Sequence, residues 1–294
     1  MDLIVYHNGC PDGFTAAYIA HRKYPEAQLV PRDHGAPIDV SSFYGKDVLV
    51  VDCNLRGKND EVAAVARSYR VLDHHKSETE IMNKPYAVFD VTRSGAGLAW
   101  DYLFGKDAGF ADEKGYGTAP RPWWVNYVED RDLWRFNLPN SRGVNAFIMS
   151  HIYSIENWDK IARADIKEAV AAGKYILQQN QKNAEEVALQ AQFGTWHGYR
   201  AAVVNAPYIL ASDVGEVLYE GPSVDIAMIW FERNDGKIQI SLRSKPGTGP
   251  DVGAIAAEYP NGGGHKHAAG IPPTLQQGRM IIDTVLKRFD KPLK

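Results

Sequence analysis

Short apolar runs that end in polar side chains recur through the first 100 residues. Residues 3–6, 48–51 and 69–72 have the length and the β-branched or aromatic content of strands. Between them the composition becomes helical, over residues 14–20 and 60–68. Further strands are predicted at 29–31 and 87–90, and further helices at 97–104 and 123–128. Because strands alternate with helices, we predict an α/β fold with a doubly wound, mainly parallel sheet.

The pattern changes after residue 154. Residues 155–192 are rich in Ala, Lys, Glu and Gln, with apolar residues near helical spacing, which predicts one or two long helices. Strand-like runs return at 201–204, 226–231 and 238–242, and Asn234-Asp235-Gly236 between the last two predicts a hairpin turn. We therefore predict an N-terminal domain, a helical linker and a smaller C-terminal α/β domain, with bounds 1–154, 155–196 and 197–294.

Composition narrows the class of protein. The chain has 294 residues, 45% hydrophobic and 23% charged, and its net charge of −3 gives no basic field for long nucleic acid. The two cysteines, Cys10 and Cys53, do not form a disulfide framework typical of secreted domains. A strand predicted from residue 3 leaves no room for a signal peptide, and no apolar stretch reaches the length of a membrane span. We expect a cytoplasmic protein.

Metal-binding side chains follow three of the predicted strands. The carboxyl ends of parallel strands meet at one edge of a sheet, where ligands collect. Imidazole and carboxylate groups are the ligands that divalent metals prefer there. Chance accounts easily for one such strand end, but three favour a metal site over capping acids and solvated histidines. The residues are His7, Asp12, Asp52, Asp73, His74 and His75.

A second group of candidate residues lies late in the chain. Three consecutive glycines, 262–264, precede His265, and we predict that they form a loop whose backbone N–H groups bind an anion. Arg243, at the end of a predicted strand, offers a planar fork suited to phosphate. Earlier, Arg93 is predicted to face a phosphate, whereas the adjacent Ser94 is predicted to cap a helix.

These motifs together resemble the DHH phosphoesterase superfamily, and more closely its branch that carries a C-terminal DHHA1 domain. The motifs that carry the resemblance occur in the family's order: His7 with Asp12-Gly13, Val51-Asp52, Asp73-His74-His75, Asp130 with Asp132 and Trp134, and Gly264-His265 with Ala268-Ala269-Gly270. The resemblance implies a metal-dependent phosphohydrolase with an N-terminal DHH domain and a substrate-binding DHHA1 domain.

The resemblance also implies a role for each site residue. Asp52 would bridge two metal ions, and His7 with Cys10 would complete the first. The second would be completed by Asp12, His74 and Asp130, with Asp132 as the reserve for Asp130. His75 would contact the phosphate or protonate the leaving oxygen, and Asp73 would fix the tautomer of a neighbouring histidine. The substrate-binding residues would be Arg93, Arg243, Gly263, Gly264 and His265.

One position departs from the family pattern, since the first motif usually reads Asp-x-Asp and Cys10 replaces its first Asp. The family's ligands suit manganese, with magnesium or cobalt as substitutes. A thiolate at residue 10 favours zinc or iron instead, whereas a neutral thiol leaves the first metal weakly bound. Both alternatives stay open from the sequence.

The predicted activity is hydrolysis of phosphoester bonds in short or end-bound nucleic-acid substrates, such as short oligonucleotides, linear dinucleotides or pAp-like nucleotides. One alternative is hydrolysis of polyphosphate or pyrophosphate at the same metal site. The other alternative is a non-catalytic protein that binds a nucleotide or an RNA end. The choice between DNA and RNA, and between 5′ and 3′ polarity, stays open.

Overall fold

The computed structural model describes residues 1–33, 36–75, 79–105, 121–260 and 262–286, without the side chains of 273–277. Contacts divide the chain into two compact units, Met1–Leu177 and Gln178–Lys294. Residues 106–120 and Asn261, beside the glycine run, lie outside the described residues.

The first unit is built on a five-stranded sheet in which every strand pair is parallel, in the order β2-β1-β3-β4-β5. The predicted strands and the mainly parallel sheet are confirmed. The elements in chain order are β1 (Leu3–His7), α1 (Pro11–Lys23), β2 (Gln28–Arg32), β3 (Asp47–Val51), α2 (Asn59–Val65), β4 (Ser68–Asp73), β5 (Ala87–Phe89), α3 (Gly95–Leu103), α4 (Trp123–Asp132), α5 (Ser141–Met149), α6 (Ile155–Arg163) and α7 (Ile166–Ala188), whose last residues belong to the second unit.

The strand order creates a switch point between β1 and β3. From β1 the chain moves outward to β2 on one side, and from β3 it moves outward to β4 and β5 on the other. Connections that leave in opposite directions open a crevice beyond the carboxyl ends of the two central strands, where α/β proteins bind ligands. Residues that follow β1 and β3 therefore lie in the position most favourable for a site.

The strands of this sheet are buried on both faces, as parallel sheets usually are. On one face Ile4 and Leu49 pack with the aromatic residues Tyr18, Trp124 and Trp158, from the helices. On the other face Leu3, Val5, Val48 and Val50 pack with Phe43 and Val62. Because side chains alternate along a strand, the continuous apolar runs of the sequence supply both cores.

The second unit contains a six-stranded mixed sheet in the order β10-β11-β9-β8-β7-β6, in which only the β7–β8 pair is parallel. Helices pack apolar residues onto both of its faces. Its elements after α7 are β6 (Gln192–Trp196), β7 (Tyr199–Asn205), α8 (Ala211–Glu220), β8 (Ile226–Glu232), β9 (Ile238–Arg243), α9 (Val252–Ala257), β10 (Gly263–His265), β11 (Ala268–Thr274) and α10 (Leu275–Leu286).

The β8–β9 hairpin forms at the predicted turn, where Gly236 has a φ of +75° and donates its backbone N–H to Arg233 O at 2.9 Å. Several elements were not predicted. Among them, the strand β6 lies in the segment predicted as a helical linker, and α5 lies in a segment for which no element was predicted. No helix in the described parts of the chain is long and apolar enough to cross a membrane.

Candidate metal centre

The loop between β1 and α1 brings three predicted ligands to the switch point. His7 ends β1, Cys10 is the N-cap residue of α1, and Asp12 lies in the first turn of that helix. The Asp12 carboxylate is 1% exposed and accepts backbone N–H groups from Gly95 at 2.6 Å and Ala96 at 3.0 Å. These N–H groups open α3, and a helix N-terminus stabilises a negative charge. Asp12 is therefore held in one orientation.

Asp52 directly follows β3 and is the most constrained residue of the cluster. It is 1% exposed and has a φ of +56°, a left-handed conformation in which Asp is among the few tolerated residues besides glycine. Gly13 and Gly95 make room for it. A Cβ at Gly95 would lie 2.5 Å from Asp52 Cβ, and one at Gly13 would lie 3.0 Å from Asp52 Oδ2. Backbone strain of this kind is typical of functional positions.

His74 follows β4 and faces three carboxylates. Its Nε2 atom lies 3.1 Å from Asp52 Oδ1, 3.6 Å from Asp132 Oδ2 and 3.8 Å from Asp12 Oδ2. The His74 side chain is buried, with 3% of its surface exposed. An imidazole surrounded by three acidic side chains, each from a different loop or helix, is a geometry suited to a shared cation.

The structure places Asp130 away from this cluster, contrary to the prediction. Its carboxylate accepts the backbone N–H groups of Asn137 at 2.9 Å and Leu138 at 3.2 Å and the Ser141 hydroxyl at 2.5 Å. Asp130 therefore holds the turn before α5. The reserve candidate, Asp132, lies beside His74 instead, because the two acids are two residues apart on α4 and so point about 200° apart.

A signal in the sequence separates the two acids. Trp124, Val128 and Asp132 are spaced by four residues and lie on one face of α4, and the first two are 2% and 3% exposed. Asp132 continues this buried apolar stripe, and it is the acid that lies beside His74.

The residues form three overlapping sets of possible metal donors. Within each set, one donor atom of each residue lies within 4.8 Å of the others. Asp52 belongs to two of the sets. The sets are His7–Cys10–Asp52, Asp52–His74–His75 and Asp12–His74–Asp132. The predicted ligands His7, Cys10, Asp12, Asp52 and His74 thus lie together, with Asp132 in place of Asp130.

The electrostatics of the cluster fit a bound cation. Burial raises the pKa of Asp12 well above its ordinary value, and the charges of Asp132 and Asp52 raise it further. Burial opposes ionisation of Asp52, but the imidazoles of His7 and His74 hold its pKa well below the ordinary value. Among the described residues, no hydrogen bond is made to the buried Oδ2 atoms of Asp52 and Asp132, although His7 Nδ1 lies 3.4 Å from the first and His74 Nε2 lies 3.6 Å from the second. Because buried acceptors are normally satisfied, two orphaned carboxylate oxygens indicate a missing positive ligand.

His75 is oriented by a chain of buried hydrogen bonds. Its Nδ1 atom lies 2.7 Å from Asp73 Oδ1, and the other Asp73 oxygen accepts Asn54 Nδ2 at 2.8 Å. Asn54 is in turn contacted by Asn59 Nδ2 at 3.3 Å, and Asn59 accepts the Tyr69 hydroxyl at 2.7 Å. The predicted pairing of Asp73 with a histidine thus involves His75. Asn54 was not predicted, although it follows Asp52 by only two positions.

We expect Asn54→Leu to lower kcat by about 10- to 100-fold, the usual effect of removing a partner that orients a site residue. The substitution removes the side-chain donor to Asp73 and leaves it only the backbone N–H groups of His74 and His75, so the His75 ring is held less firmly. Because Asn54 touches no donor of the cluster except through Asp73, KM should change little. The measurement is kcat with its pH profile, alongside the unfolding midpoint. An unchanged kcat and pH profile in a folded variant contradicts the positioning role.

Arg93 is engaged by acidic side chains of the first unit rather than directed to a ligand. Its guanidinium pairs with Asp101 and with Glu129, at 3.2 Å from Arg93 Nε to Glu129 Oε2. Arg121 pairs with the same two acids. Ser94 caps α3 as predicted, accepting the Gly97 N–H at 3.1 Å. The network accounts for Arg93 without a phosphate.

In the second unit the strand register aligns two of the predicted substrate-binding residues. His265 pairs with Ala268 across β10 and β11, and Ala268 pairs with Arg243 across β11 and β9. Residues directly opposite in antiparallel strands share a face, so Arg243 and His265 flank the small side chain of Ala268. The Arg243 guanidinium is held by bonds to Leu242 O at 2.9 Å and Ser212 Oγ at 3.1 Å.

The glycine run differs from the predicted anion-binding loop. Gly263 and Gly264 belong to a strand paired with β11, and their φ values are +153° and +143°. Packing requires two of the three glycines. A Cβ at Gly262 would lie 2.1 Å from Ala256 O, and one at Gly264 would lie 2.7 Å from Ala268 O. These close contacts explain the two glycines without a bound anion.

No protein-family model matches the chain. A curated relative, the uncharacterised protein R106 of Acanthamoeba polyphaga mimivirus, is 24% identical over 297 residues, which cover 92% of this chain and 67% of the viral protein.

Solved structures match almost the whole chain. The pGpG-specific phosphodiesterase PggH from Vibrio cholerae aligns with a TM-score of 0.51 at 14% identity, over 98% of both chains. The DHH domain of a member of a family of ribosomal proteins aligns with a TM-score of 0.56 at 14% identity, over 98% of this chain and 86% of that one. RecJ from Thermus thermophilus, in complex with Mn²⁺, gives a TM-score of 0.54 at 17% identity, over 100% of this chain and 53% of RecJ.

At these identities the likeness establishes the fold. The chain has the fold of the DHH-domain proteins, and the resemblance seen in the sequence motifs is confirmed at that level.

Proposed function

We propose that this protein is a metal-dependent phosphohydrolase that cleaves phosphoester bonds of short nucleic-acid substrates. One observation carries the proposal: carboxylate, imidazole and thiol donors from separate loops and helices converge at the switch point of the sheet, where the buried Asp52 and Asp132 oxygens accept no hydrogen bond from the described residues. Burying so many acidic groups together is costly unless a cation compensates them.

The donor sets divide naturally between two cations. His7, Cys10 and Asp52 would hold one, and Asp12, His74 and Asp132, with Asp52 as the shared ligand, would hold the other. Divalent cations at such a centre supply a water molecule of lowered pKa and neutralise charge on the phosphate. Manganese suits the oxygen and imidazole donors, with magnesium or cobalt as substitutes. RecJ, which shares the fold, is described in complex with Mn²⁺.

His75 would handle the proton or the phosphate. Its ring is 17% exposed, and the hydrogen bond to Asp73, which is fully buried, fixes the orientation of the ring. A histidine held in this way donates a hydrogen bond to a phosphate oxygen or gives a proton to the leaving oxygen. Asp73 acts through His75 and touches no reacting group.

Three observations favour a short substrate. The net charge of −3 gives no field for a long polyanion. Arg243 and His265 share one face of the second sheet, which suits recognition of a small phosphorylated group. PggH, whose chain is covered to 98% by this one, is described as pGpG-specific. Linear dinucleotides, short oligonucleotides and pAp-like nucleotides are therefore the proposed substrate class.

The test is a substrate panel run with the metal-free chain and with added Mn²⁺. The panel contains pGpG, a short RNA, a short DNA, pAp, pyrophosphate and polyphosphate. We expect no product without metal, and release of nucleotide from the short substrates with Mn²⁺. Release of phosphate from polyphosphate or pyrophosphate alone would assign the alternative activity. Tight binding of a nucleotide without product would assign a non-catalytic binder.

We expect His265→Ala to raise KM for a dinucleotide by about tenfold and to lower kcat less, because lost substrate contacts weaken binding more than chemistry. Steady-state kinetics measure the two parameters separately. Lys237→Ala is the matched control. It removes a cation in the same unit, next to the start of β9, whereas Arg243 lies at the end of that strand. Equal kinetics for His265→Ala and Lys237→Ala contradict a substrate role for His265.

A further inference from the structure

Cys10 lies at the start of α1, which its backbone begins. It is the N-cap residue of α1, with an extended backbone at φ −121° and ψ 134°, yet its side chain makes no capping hydrogen bond. Its carbonyl oxygen accepts the Phe14 N–H at 3.0 Å, so the backbone alone begins the helix. The fixed backbone places the thiol beside His7 and Asp52, with the three donor atoms within 4.8 Å of one another.

The carboxylate that faces the thiol provides an independent indication of a ligand. Asp52 Oδ2 is fully buried and receives no hydrogen bond from any described residue, and it lies 3.4 Å from His7 Nδ1. The other carboxylate oxygen already contacts His74. An imidazole, a thiol and a buried carboxylate oxygen within 4.8 Å of one another are the donor types that a zinc site uses.

We propose that Cys10 is a thiolate ligand and that His7, Cys10 and Asp52 form a position selective for a thiophilic divalent cation, zinc above all. The neighbouring donors Asp12, His74 and Asp132 are all oxygen or imidazole and favour manganese. The protein would then hold two different metals that share Asp52. This inference rests on the proposed metal centre, but it goes further by assigning a different preference to each half.

Binding of the cation by Cys10 is a balanced chemical step. The Cys10 S–H bond breaks, the sulfur forms a bond to the cation, and the proton passes to solvent. No oxidant or other reactant is needed. A thiolate is a softer ligand than a carboxylate. Sulfur in place of oxygen at this residue therefore alters the preference among metals more than the overall affinity for metal.

The chain offers a clean spectroscopic test, since Cys10 and Cys53 are its only cysteines. Cys53 is 5% exposed and belongs to the apolar cluster on the other face of the sheet, so Cys53→Ser is the matched control. The metal-free full chain is titrated with Co²⁺ under reducing, anaerobic conditions. Sulfur-to-cobalt charge transfer in the near ultraviolet reports a thiolate ligand, and the visible bands report bound cobalt of any ligation.

We expect the charge-transfer band in the wild type and in Cys53→Ser, and its loss in Cys10→Ser and Cys10→Asp, while all four proteins keep visible cobalt bands. Visible bands without charge transfer in the wild type would overturn the assignment of Cys10 and leave the proposed hydrolase intact. Absence of all cobalt bands would overturn the metal centre itself, and the proposed function with it.

A competition experiment measures the selectivity directly. The ratio of zinc to manganese affinity at the first position should fall by at least about tenfold in Cys10→Asp relative to the wild type. The visible bands of bound cobalt, displaced in turn by each metal, report this ratio without any substrate. An unchanged ratio would show that sulfur does not select the metal.

Discussion

Asp52→Asn should reduce kcat/KM by about 10³-fold or more, which corresponds to about 4 kcal/mol of lost transition-state stabilisation. Asp52 belongs to the first donor set, and its Oδ1 lies 3.1 Å from His74 Nε2 of the second, so one substitution would weaken both proposed metal positions. Asparagine is the appropriate replacement because it tolerates the left-handed backbone that Asp52 adopts, with φ +56°. The fold should therefore survive the loss of activity.

The matched control lies on the same strand. Asp47 begins β3 and pairs with Arg67 on an exposed surface, at the amino end of the strand and thus far from its carboxyl end. Asp47→Asn should keep wild-type kinetics and leave the unfolding midpoint nearly unchanged, because exposed ion pairs contribute little. Near-wild-type turnover of Asp52→Asn at saturating Mn²⁺ contradicts the shared-ligand role.

Asp132→Asn should lower kcat/KM by about 10²-fold, or about 3 kcal/mol in transition-state terms, with little loss of stability. Asp132 Oδ2 is buried, lies 3.6 Å from His74 Nε2 and accepts no hydrogen bond from the described residues. Removing its charge leaves the second donor set short of one anionic ligand. The activity of Asp132→Asn should recover in part at high Mn²⁺ concentration, which a metal titration of the initial rate measures.

Asp130→Asn should have the opposite effect, a loss of stability with little change in metal binding. Its carboxylate holds two backbone N–H groups and the Ser141 hydroxyl before α5, so the amide leaves a buried donor without a partner. We expect a loss of about 1–3 kcal/mol in unfolding free energy and little change in the Mn²⁺ requirement. Loss of metal affinity in Asp130→Asn and not in Asp132→Asn reverses the assignment.

The part of the site that the sequence predicts well is the part that strands position. His7 ends β1, while Asp52 and His74 follow β3 and β4 directly, so the apolar run that defines each strand also locates the residue after it. Parallel pairing then brings the strand ends together at one edge. No long-range information is needed beyond the alternation of strands and helices.

Helix-borne and ion-paired residues are harder to place. The apolar stripe through Trp124 and Val128 favours Asp132, but only the turn at residues 137–141, a tertiary contact, excludes Asp130. Arg93 was predicted to face a phosphate because the sequence does not show that Glu129, which lies 36 residues away, is an acidic partner of Arg93. A charged side chain cannot be assigned to a ligand until such distant partners are known.

The glycines at 262–264 and the edge strand β6 are difficult to predict from the sequence, for related reasons. Contact with the Ala256 and Ala268 carbonyl groups requires glycine at 262 and 264, and a positive φ favours it at 263, so no bound anion is needed to explain the run. The edge strand β6 pairs on one side and is largely exposed, so its sequence lacks the continuous apolar run of a central strand. In both cases the deciding contact is made only in the folded unit.

The most direct test of the central claim is a manganese anomalous-difference map from crystals of the metal-free protein soaked in Mn²⁺. The proposed centre predicts two peaks about 3.5–4 Å apart that share the Asp52 carboxylate, as in two-metal phosphoesterase sites. The second peak should also be bound by Asp12, His74 and Asp132, and not by Asp130. Absence of any peak within coordination distance of Asp52 contradicts the account.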